Sequence, residues 1–313
     1  MNGIAPSVLE CIGNTPLVVL RKIVPPGCAR VVAKLEGANP TCNMKDRMAK
    51  AAIAAAERDG RLSAGGTIVE YTGGSTGASL ALVCAARGYR IRIVTSDAFS
   101  AEKIRTMLAF GAEIISVPSE GGKITEALVR RMIETARLIS EEPGHWWFDQ
   151  LNNPDAAAGY YPMAEEIWQQ TGGRVDAFVQ SVGTGHCLNG VMQVLRAKNP
   201  GLRVIAAEPA ESAVLSGGAK GPHRIEGIGI GFVPPHWNPD QVDEIESATT
   251  AEAARMCRRL AREEGIFAGT SSGLNVIAAL RVAERLGPDA VVATIMIDSG
   301  LRYLSTNLFR EAP

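Results

Sequence analysis

The alternation of β-branched and alanine-rich segments is the feature that most restricts what this chain can fold into. Short runs rich in Val, Ile and Thr are followed by longer runs whose apolar residues recur at helical spacing. The short runs predict strands over 31–36, 67–71, 90–95, 113–117, 176–181, 203–208 and 290–297. The longer runs predict helices over 44–56, 76–87, 101–110, 123–140, 157–170, 188–198, 251–264 and 272–285. This rhythm is typical of mainly parallel sheets covered by helices, so we expect an α/β protein.

Length and charge limit the functional class. The 313 residues are 46% hydrophobic and 21% charged, which suits one large α/β unit or two interlocked domains. The net charge is −1, and both signs are mixed along the sequence. We therefore expect no nucleic-acid partner and no binding to an anionic membrane surface.

The cysteines, histidines and terminus exclude several other classes. The six cysteines form no CxxC pair and the four histidines show no ligand spacing, so neither a disulfide framework nor a metal site is expected. No signal peptide and no apolar run long enough to span a bilayer is visible. These features favour a cytoplasmic protein in a reducing compartment.

Lys45 is a candidate catalytic residue because of its position. A strand-like run and a short loop precede it, and it falls in the first turn of a predicted helix. The positive end of the helix dipole disfavours an ammonium group there, and burial would disfavour it further. An amine that is partly neutral can bond covalently to a carbonyl cofactor. A solvated lysine beside Asp46 is the alternative for this residue taken alone.

Three loops rich in small polar residues each precede a predicted helix. They are Thr72–Gly77, Gly183–Cys187 and Gly269–Gly273, and each is interpreted as following a strand. In parallel α/β proteins ligands bind at the carboxyl ends of strands. Small residues there let backbone N–H groups approach a phosphate or carboxylate at a helix N-terminus. Together the loops and Lys45 favour a site for an anionic small molecule.

A nicotinamide-dinucleotide site in an oxidoreductase is the alternative from the pattern alone. Gly183 and Gly185 follow a strand, and Glu208 stands 23 residues after Gly185, where an acid could bind a ribose. However, the fingerprint needs a third glycine where Leu188 stands. A non-catalytic binding module is a third option, but it would not require Lys45.

Several motifs resemble those of the cysteine synthase / cystathionine β-synthase family. The chain contains Ile-Gly-Asn-Thr-Pro-Leu at 12–17, Asn-Pro at 39–40 before Lys45, the three loops, Gly-Ile-Gly-Ile-Gly-Phe-Val-Pro at 227–234 and Asp-Ser-Gly at 298–300. They occur in the family's order and cover nearly the whole chain. The resemblance implies a pyridoxal-phosphate (PLP) enzyme of fold type II, similar to the tryptophan synthase β-subunit and usually a homodimer.

The resemblance also implies a domain organisation. It implies two three-layer α/β/α domains around a central cleft. The smaller, mobile N-terminal domain would comprise residues 1–12 and 36–152. The larger C-terminal domain would comprise residues 13–35 and 153–313.

Roles for individual residues follow from the same resemblance. Lys45 would bind PLP covalently and act as the general base. Ser75, Gly183, Thr184, Gly185, His186, Cys187 and Ser271 would contact the cofactor, with Ser271 at its pyridine nitrogen. Thr72, Gly73, Gly74, Ser75, Thr76, Gln150 and Gly227 would bind the substrate. The implied reaction is β-replacement on serine or an activated serine, most simply O-acetylserine, through aminoacrylate, with a nucleophile such as sulfide. Deamination of serine or threonine is an alternative.

Four residues in the first two loops depart from the family's usual motifs, and Leu301 stands after Asp-Ser-Gly where the family commonly has an acidic residue. Gly73 stands where the family usually has Ser, and Ser75 where it usually has Asn. His186 and Cys187 replace Gly and Thr in the phosphate loop. Cys is a weaker hydrogen-bond donor than Thr, and packing is favoured over charge as the role of His186. The changes at Gly73 and Ser75 are expected to enlarge the space beside the substrate.

The assignment of the cofactor lysine leads to a first prediction. Borohydride reduction of the holoenzyme, followed by peptide mapping, is expected to place the pyridoxyl adduct on Lys45. The neutral amine favoured at a helix start is the form that reacts with the aldehyde. An adduct on Lys34 or Lys50 would contradict the assignment.

Overall fold

The computed structural model describes Gly3–Arg310, which form two compact units. The first unit contains the residues up to Ile12 and Lys45–Gly159, and the second contains Gly13–Met44 and the residues from Tyr160 onward. The sequence-based boundaries differ, because they assign 36–44 to the first domain and 153–159 to the second. Residues 1–2 and 311–313 of the expected domains lie outside the described residues.

The helices and strands alternate along the chain. The strands are β1 (Leu17–Val19), β2 (Arg30–Leu35), β3 (Thr67–Tyr71), β4 (Arg90–Thr95), β5 (Glu113–Ser116), β6 (His145–Trp147), β7 (Ala177–Ser181), β8 (Arg203–Pro209), β9 (Glu244–Ala248) and β10 (Val291–Met296). The α-helices are α1 (Lys45–Arg58), α2 (Ser75–Arg87), α3 (Ala101–Ala109), α4 (Glu126–Ser140), α5 (Tyr161–Gln170), α6 (His186–Lys198), α7 (Thr250–Arg259) and α8 (Thr270–Leu286).

The first unit is built on a parallel sheet with the strand order β5-β4-β3-β6. Every residue of the central strand β3 is buried. The strand packs through Val69 and Tyr71 against Leu128 and Met132 of α4. A central strand buried on both faces is expected to be a continuous apolar run, and Glu70 is the exception here.

The second unit is built on a sheet with the strand order β1-β2-β10-β7-β8-β9. All neighbouring strands are parallel except β1 and β2, which are antiparallel. Strand β10 lies between β2 and β7 and is buried along its whole length. Helix α8 packs on this sheet through residues such as Leu274, Val276 and Val282. The prediction of mainly parallel sheets in an α/β protein is therefore confirmed.

The elements missed by the sequence pattern are short. Strands β1 and β6 have three residues each, which is too few for a clear periodic signal, and β9 is an edge strand with two glutamates among its five residues. The interpretation that a strand precedes the third loop is wrong. Helix α7 continues as a π-helical turn (Leu260–Glu264), Gly265 ends that turn in the left-handed conformation, and irregular chain leads into α8.

Two findings concern what the described chain lacks. Within Gly3–Arg310, no helix combines the length and the apolar character needed to cross a membrane. Among the same residues, no three His, Cys, Asp or Glu side chains are grouped so that they could hold a metal ion.

A buried ion pair links β2 to α5 in the second unit. Lys34 is 0% exposed, and its ammonium lies 2.6 Å from a carboxylate oxygen of Glu166. The same ammonium donates to the Thr15 carbonyl at 2.7 Å and to Gln170 Oε1 at 2.8 Å. The other Glu166 oxygen accepts the Asn14 N–H at 3.0 Å. These bonds compensate for removing Lys34 from water.

Loss of this carboxylate should destabilise the protein markedly. Glu166→Ala is expected to lower the free energy of unfolding by about 3 kcal/mol, because it removes a carboxylate that lies directly against a buried ammonium. Denaturant unfolding measures the change. Glu165→Ala is the matched control, since the pair of Glu165 with Lys198 is partly exposed and should be worth less than about 1 kcal/mol. Equal losses in both variants would contradict the role given to the buried pair.

Candidate functional site

The first loop, Thr72–Gly74, connects β3 to α2. Thr72 Oγ1 accepts the N–H of Gly74 at 3.0 Å, which makes a tight turn directly before the helix. Gly74 has a φ of 154°, a conformation that side chains disfavour. Helix α2 then begins at Ser75. The loop therefore presents the positive end of α2 at the carboxyl end of the central strand.

Gln150, which is distant in sequence, forms hydrogen bonds to residues on both sides of this loop. Its Nε2 donates to the Tyr71 carbonyl at 2.9 Å, and its Oε1 accepts the Thr76 hydroxyl at 2.7 Å. The predicted substrate residues of the first unit, Thr72–Thr76 and Gln150, are thus brought together. We call this set the carboxylate-loop group, after its predicted role.

Glu70 supports Gln150 and was not singled out from the sequence. The carboxylate is 0% exposed, and its Oε2 accepts the backbone N–H of Gln150 at 3.1 Å. Burial, with a smaller contribution from the charge of Asp149, raises the pKa of Glu70 well above the ordinary value. An acidic residue inside the apolar run of β3 is the signal that could have identified it.

Lys45 is the first residue of α1, so it lies in the first helical turn, as the sequence pattern predicted. Its side chain is half-buried, and the following Asp46 and Arg47 are buried. Gly159 packs directly against the first turn of this helix, because a Cβ there would lie 2.6 Å from the Arg47 carbonyl oxygen. The placement suits an amine with lowered charge, while the covalent role of Lys45 stays a prediction.

The second loop, Val182–Gly185, connects β7 to α6 in the second unit. Gly185 has a φ of 88°, and α6 begins at His186. A Cβ on Gly183 would lie 2.6 Å from the carbonyl oxygen of Gly227, so only glycine fits. Gly227, a predicted substrate residue, therefore lies against this loop. Thr184 is buried between the two glycines in sequence.

Asn275 of α8 holds the second loop from behind and was missed at the sequence level. Its Oδ1 accepts the N–H of Ser181 at 2.7 Å, and its Nδ2 donates to the Ile295 carbonyl at 2.8 Å. The side chain is completely buried. No sequence signal indicated this role, because α8 must first be placed on the sheet before Asn275 reaches β7 and β10.

His186 and Cys187 form the first turn of α6 and are both buried. The ring of His186 packs on the ring of His236, with centroids 4.6 Å apart and planes inclined by 48°. Asn189 donates to the His236 carbonyl at 2.7 Å and so fixes the second histidine. His186 thus has the packing contact that the sequence analysis favoured.

Ser271 lies in the first turn of α8 and is 1% exposed. Asp298 supports the start of this helix, accepting the Gly269 N–H at 3.2 Å and the Tyr303 hydroxyl at 2.7 Å. Cys257 donates to the Gly269 carbonyl. Burial raises the pKa of the Cys257 thiol to about 12, which keeps it protonated for this bond.

The second unit contains a suitable cradle for a phosphate. The first N–H groups of an α-helix have no partner within the helix, and they carry partial positive charge. Gly183 and Gly185 keep Cβ atoms away from the backbone at the start of α6. The residues Gly183–Cys187 are called the phosphate-loop group below, after their predicted role.

Comparisons with known proteins agree with this chemistry. The family described as "Pyridoxal-phosphate dependent enzyme" matches residues 8–298. A cysteine synthase of Staphylococcus aureus (strain N315) is 41% identical over 305 residues, which is 97% of this chain and 96% of the relative.

Solved structures are similar over the whole chain. A cysteine synthase of Entamoeba histolytica has a TM-score of 0.93 and 38% identity, covering 100% of this chain and 93% of that chain. An O-ureido-L-serine synthase has a TM-score of 0.90 and 37% identity, covering 99% and 97% of the two chains.

The raised pKa of Glu70 leads to a prediction on pH dependence. The folded protein retains the proton between the ordinary value of 4.5 and the higher folded value, whereas the unfolded chain has lost it. The contribution of Glu70 to stability is therefore lost as the pH rises through this window. Glu70→Gln should remove this loss, so that the variant gains unfolding free energy over the parent between pH 5 and pH 8.

Denaturant unfolding across this pH range tests the prediction. Glu102→Gln serves as a control, because Glu102 is exposed on α3 and its replacement should leave the pH profile unchanged. A constant difference between Glu70→Gln and the parent at every pH would contradict a buried, protonated Glu70.

Proposed function

We propose that this chain, which belongs to the family of pyridoxal-phosphate-dependent enzymes, uses O-acetylserine as its donor and sulfide as its nucleophile. It is a cysteine synthase-like transferase of PLP fold type II, and its reaction is a β-replacement that makes a β-substituted alanine. Its cofactor is pyridoxal phosphate.

The observation that carries the proposal is the closure of the first loop by Gln150. Hydrogen bonds from Gln150 to Tyr71 and from Thr76 to Gln150 hold the start of α2 in one conformation. A preorganised helix N-terminus favours a carboxylate, and an α-amino acid supplies one. The carboxylate-loop group would therefore bind the amino-acid donor through Thr72, Gly73, Gly74, Ser75 and Thr76.

The phosphate-loop group and Lys45 would hold the cofactor. The N-terminal turn of α6, with Thr184 and Cys187, would hold the phosphate, because charge-assisted hydrogen bonds are strong there. When bound, pyridoxal phosphate supplies an electron sink for the α-carbon of the donor. Lys45 would bond to the cofactor and, once released from it, take the α-proton of the donor.

Ser271 would favour loss of the β-substituent over other outcomes. A serine hydroxyl at the pyridine nitrogen cannot hold that nitrogen protonated as a carboxylate would, so the ring withdraws electrons less strongly. The electron pair left at the α-carbon after Lys45 takes its proton would then form the bond to the β-carbon as the leaving group departs. The burial of Ser271 at the start of α8 supports such a fixed role.

The dinucleotide alternative loses its ribose-binding acid. Both oxygens of Glu208 accept hydrogen bonds from its own unit, from Leu215 N at 2.7 Å and from the Ser216 hydroxyl at 2.6 Å. Glu208 is 1% exposed and serves to fix the turn after β8. The remaining alternative of deamination predicts a keto acid in place of a substituted alanine.

We also propose a homodimer in the cytoplasm. Six free cysteines lie among the described residues, which suits a reducing compartment. The resemblance to homodimeric enzymes of this family supports the oligomeric state, which sedimentation of the holoenzyme would measure.

The test of the function uses the holoenzyme and three donors, namely serine, O-acetylserine and O-phosphoserine. O-Acetylserine is expected to change the visible spectrum of the cofactor and, with sulfide, to give cysteine. Lys45→Ala should lower kcat at least about a thousandfold, because a proton acceptor positioned at the α-carbon is lost.

Lys50→Ala is the matched control on the same helix. The Lys50 ammonium donates to the Leu9 carbonyl at 2.8 Å, so its replacement should leave kcat unchanged. Release of pyruvate without incorporation of sulfide would favour deamination. A response to O-phosphoserine alone would identify a different donor.

A further inference from the structure

Helix α3 and Phe99, which precedes its N-cap, lie directly against the first loop, Thr72–Gly74. This loop is called the carboxylate loop below. A Cβ added to Gly73 would lie 2.5 Å from Cε1 and 2.7 Å from Cδ1 of Phe99. A Cβ added to Gly74 would lie 2.3 Å from Cδ of Lys103. Real Cβ atoms do not approach other heavy atoms so closely, so the aromatic ring and the lysine stem occupy the space above these two glycines.

The contact continues one turn further along the same face of α3. A Cβ on Gly77 would lie 2.3 Å from Sδ of Met107. Lys103 and Met107 are four residues apart in α3, which places them in one row along the helix, and Phe99 directly precedes the N-cap Ser100. The row lies along the loop and the first turn of α2.

Phe99 is held in place by the core of the first unit. Its ring packs beside the cluster that contains Val69, Tyr71 and Val94. The turn before it is closed by Phe99 N donating to the Ser96 carbonyl at 3.2 Å. Asp97 accepts the Ser119 N–H at 2.8 Å and ties the same turn to the chain after β5. The ring is thus a built part of the loop's surroundings.

This position changes the interpretation of Gly73. From the sequence, the missing side chain at position 73 is expected to leave a larger space beside the substrate. That expectation is wrong for Gly73, because Phe99 fills the volume that a serine side chain would need. Gly73 leaves the space that the Phe99 ring occupies, so the two residues are complementary in volume.

We propose that Phe99 is a specificity-determining residue for the amino-acid substrate. Its ring replaces a side chain at position 73 as the wall over the carboxylate loop and limits the size of the amino acid that the loop accepts. The inference rests on the proposed role of Thr72–Thr76 in binding the substrate carboxylate. An apolar wall discriminates by size, and a difference of a few carbon atoms in such a pocket changes affinity tenfold or more.

The test measures equilibrium binding and needs no turnover. L-Serine and L-methionine are titrated into the holoenzyme without sulfide, and the cofactor's visible spectrum is followed before any pyruvate is released. Phe99→Ala is expected to raise the affinity for L-methionine relative to L-serine by about tenfold or more, and Phe99→Leu by a smaller factor. Leu108→Ala, an exposed position on α3, is the control and should leave the ratio unchanged.

A double-mutant cycle tests the pairing with Gly73. Gly73→Ser should weaken L-serine binding about tenfold, because the new side chain displaces the Phe99 ring into the site. In Gly73→Ser with Phe99→Ala the affinity should return to within about threefold of the parent. The same non-additivity is expected in the free energy of unfolding.

The outcomes separate this inference from the proposed function. A parent protein whose spectrum responds to neither amino acid overturns the carboxylate-loop assignment, and the specificity proposal with it. A parent that responds, but whose ligand ratio changes less than twofold in Phe99→Ala, overturns only the role of Phe99. Additive effects of Gly73→Ser and Phe99→Ala would do the same.

Discussion

Parallel strand pairing is the constraint on which both candidate ligand-binding groups depend. When neighbouring strands run in the same direction, each must be followed by a crossover, and the crossover helices begin near the same edge of the sheet. In the first unit this places the start of α2 directly after β3, and in the second it places the start of α6 directly after β7. Each sheet therefore presents a helix N-terminus, with its partial positive charge, to an anionic ligand.

The loops at these edges are fixed by side chains that come from distant parts of the chain. Gln150 is 74 residues from Thr76, and Asn275 is 94 residues from Ser181. A single hydrogen bond of this kind contributes about 1 kcal/mol net, but a buried amide left without partners costs about 1–3 kcal/mol. The cost of an unpaired buried amide is thus larger than the net gain from the bond. This cost explains how short glycine-rich loops can hold one conformation, as binding and catalysis require.

Glycine has two different physical roles in these loops. Gly185 has a left-handed backbone that side chains rarely adopt, so its requirement is local. The requirement at Gly73 comes from the ring of Phe99, which lies 26 residues later in the sequence. A residue that differs from a family motif can therefore be matched by a second residue that fills the space it leaves. For Gly73 the group that fills the space of the missing side chain is an aromatic ring on another segment.

The sequence alone was sufficient for the α/β class, most of the helices and strands, the place of Lys45 in the first turn of α1 and the position of the glycine-rich loops. These features depend on hydrophobic periodicity and on local backbone preferences, which act over a few neighbouring residues. The resemblance of the motifs to those of a known family added the cofactor chemistry. Within each motif the residues are close in sequence, so they are also close in space in any fold.

Tertiary structure alone decided which side chains stand behind and above those loops. Glu70 beneath Gln150, Asn275 behind Ser181 and Phe99 over Gly73 are joined only after strands and helices have packed. It also showed that the third loop follows a π-helical turn rather than a strand. Contacts between residues far apart in sequence depend on the register and packing of whole elements, and no local pattern carries that information.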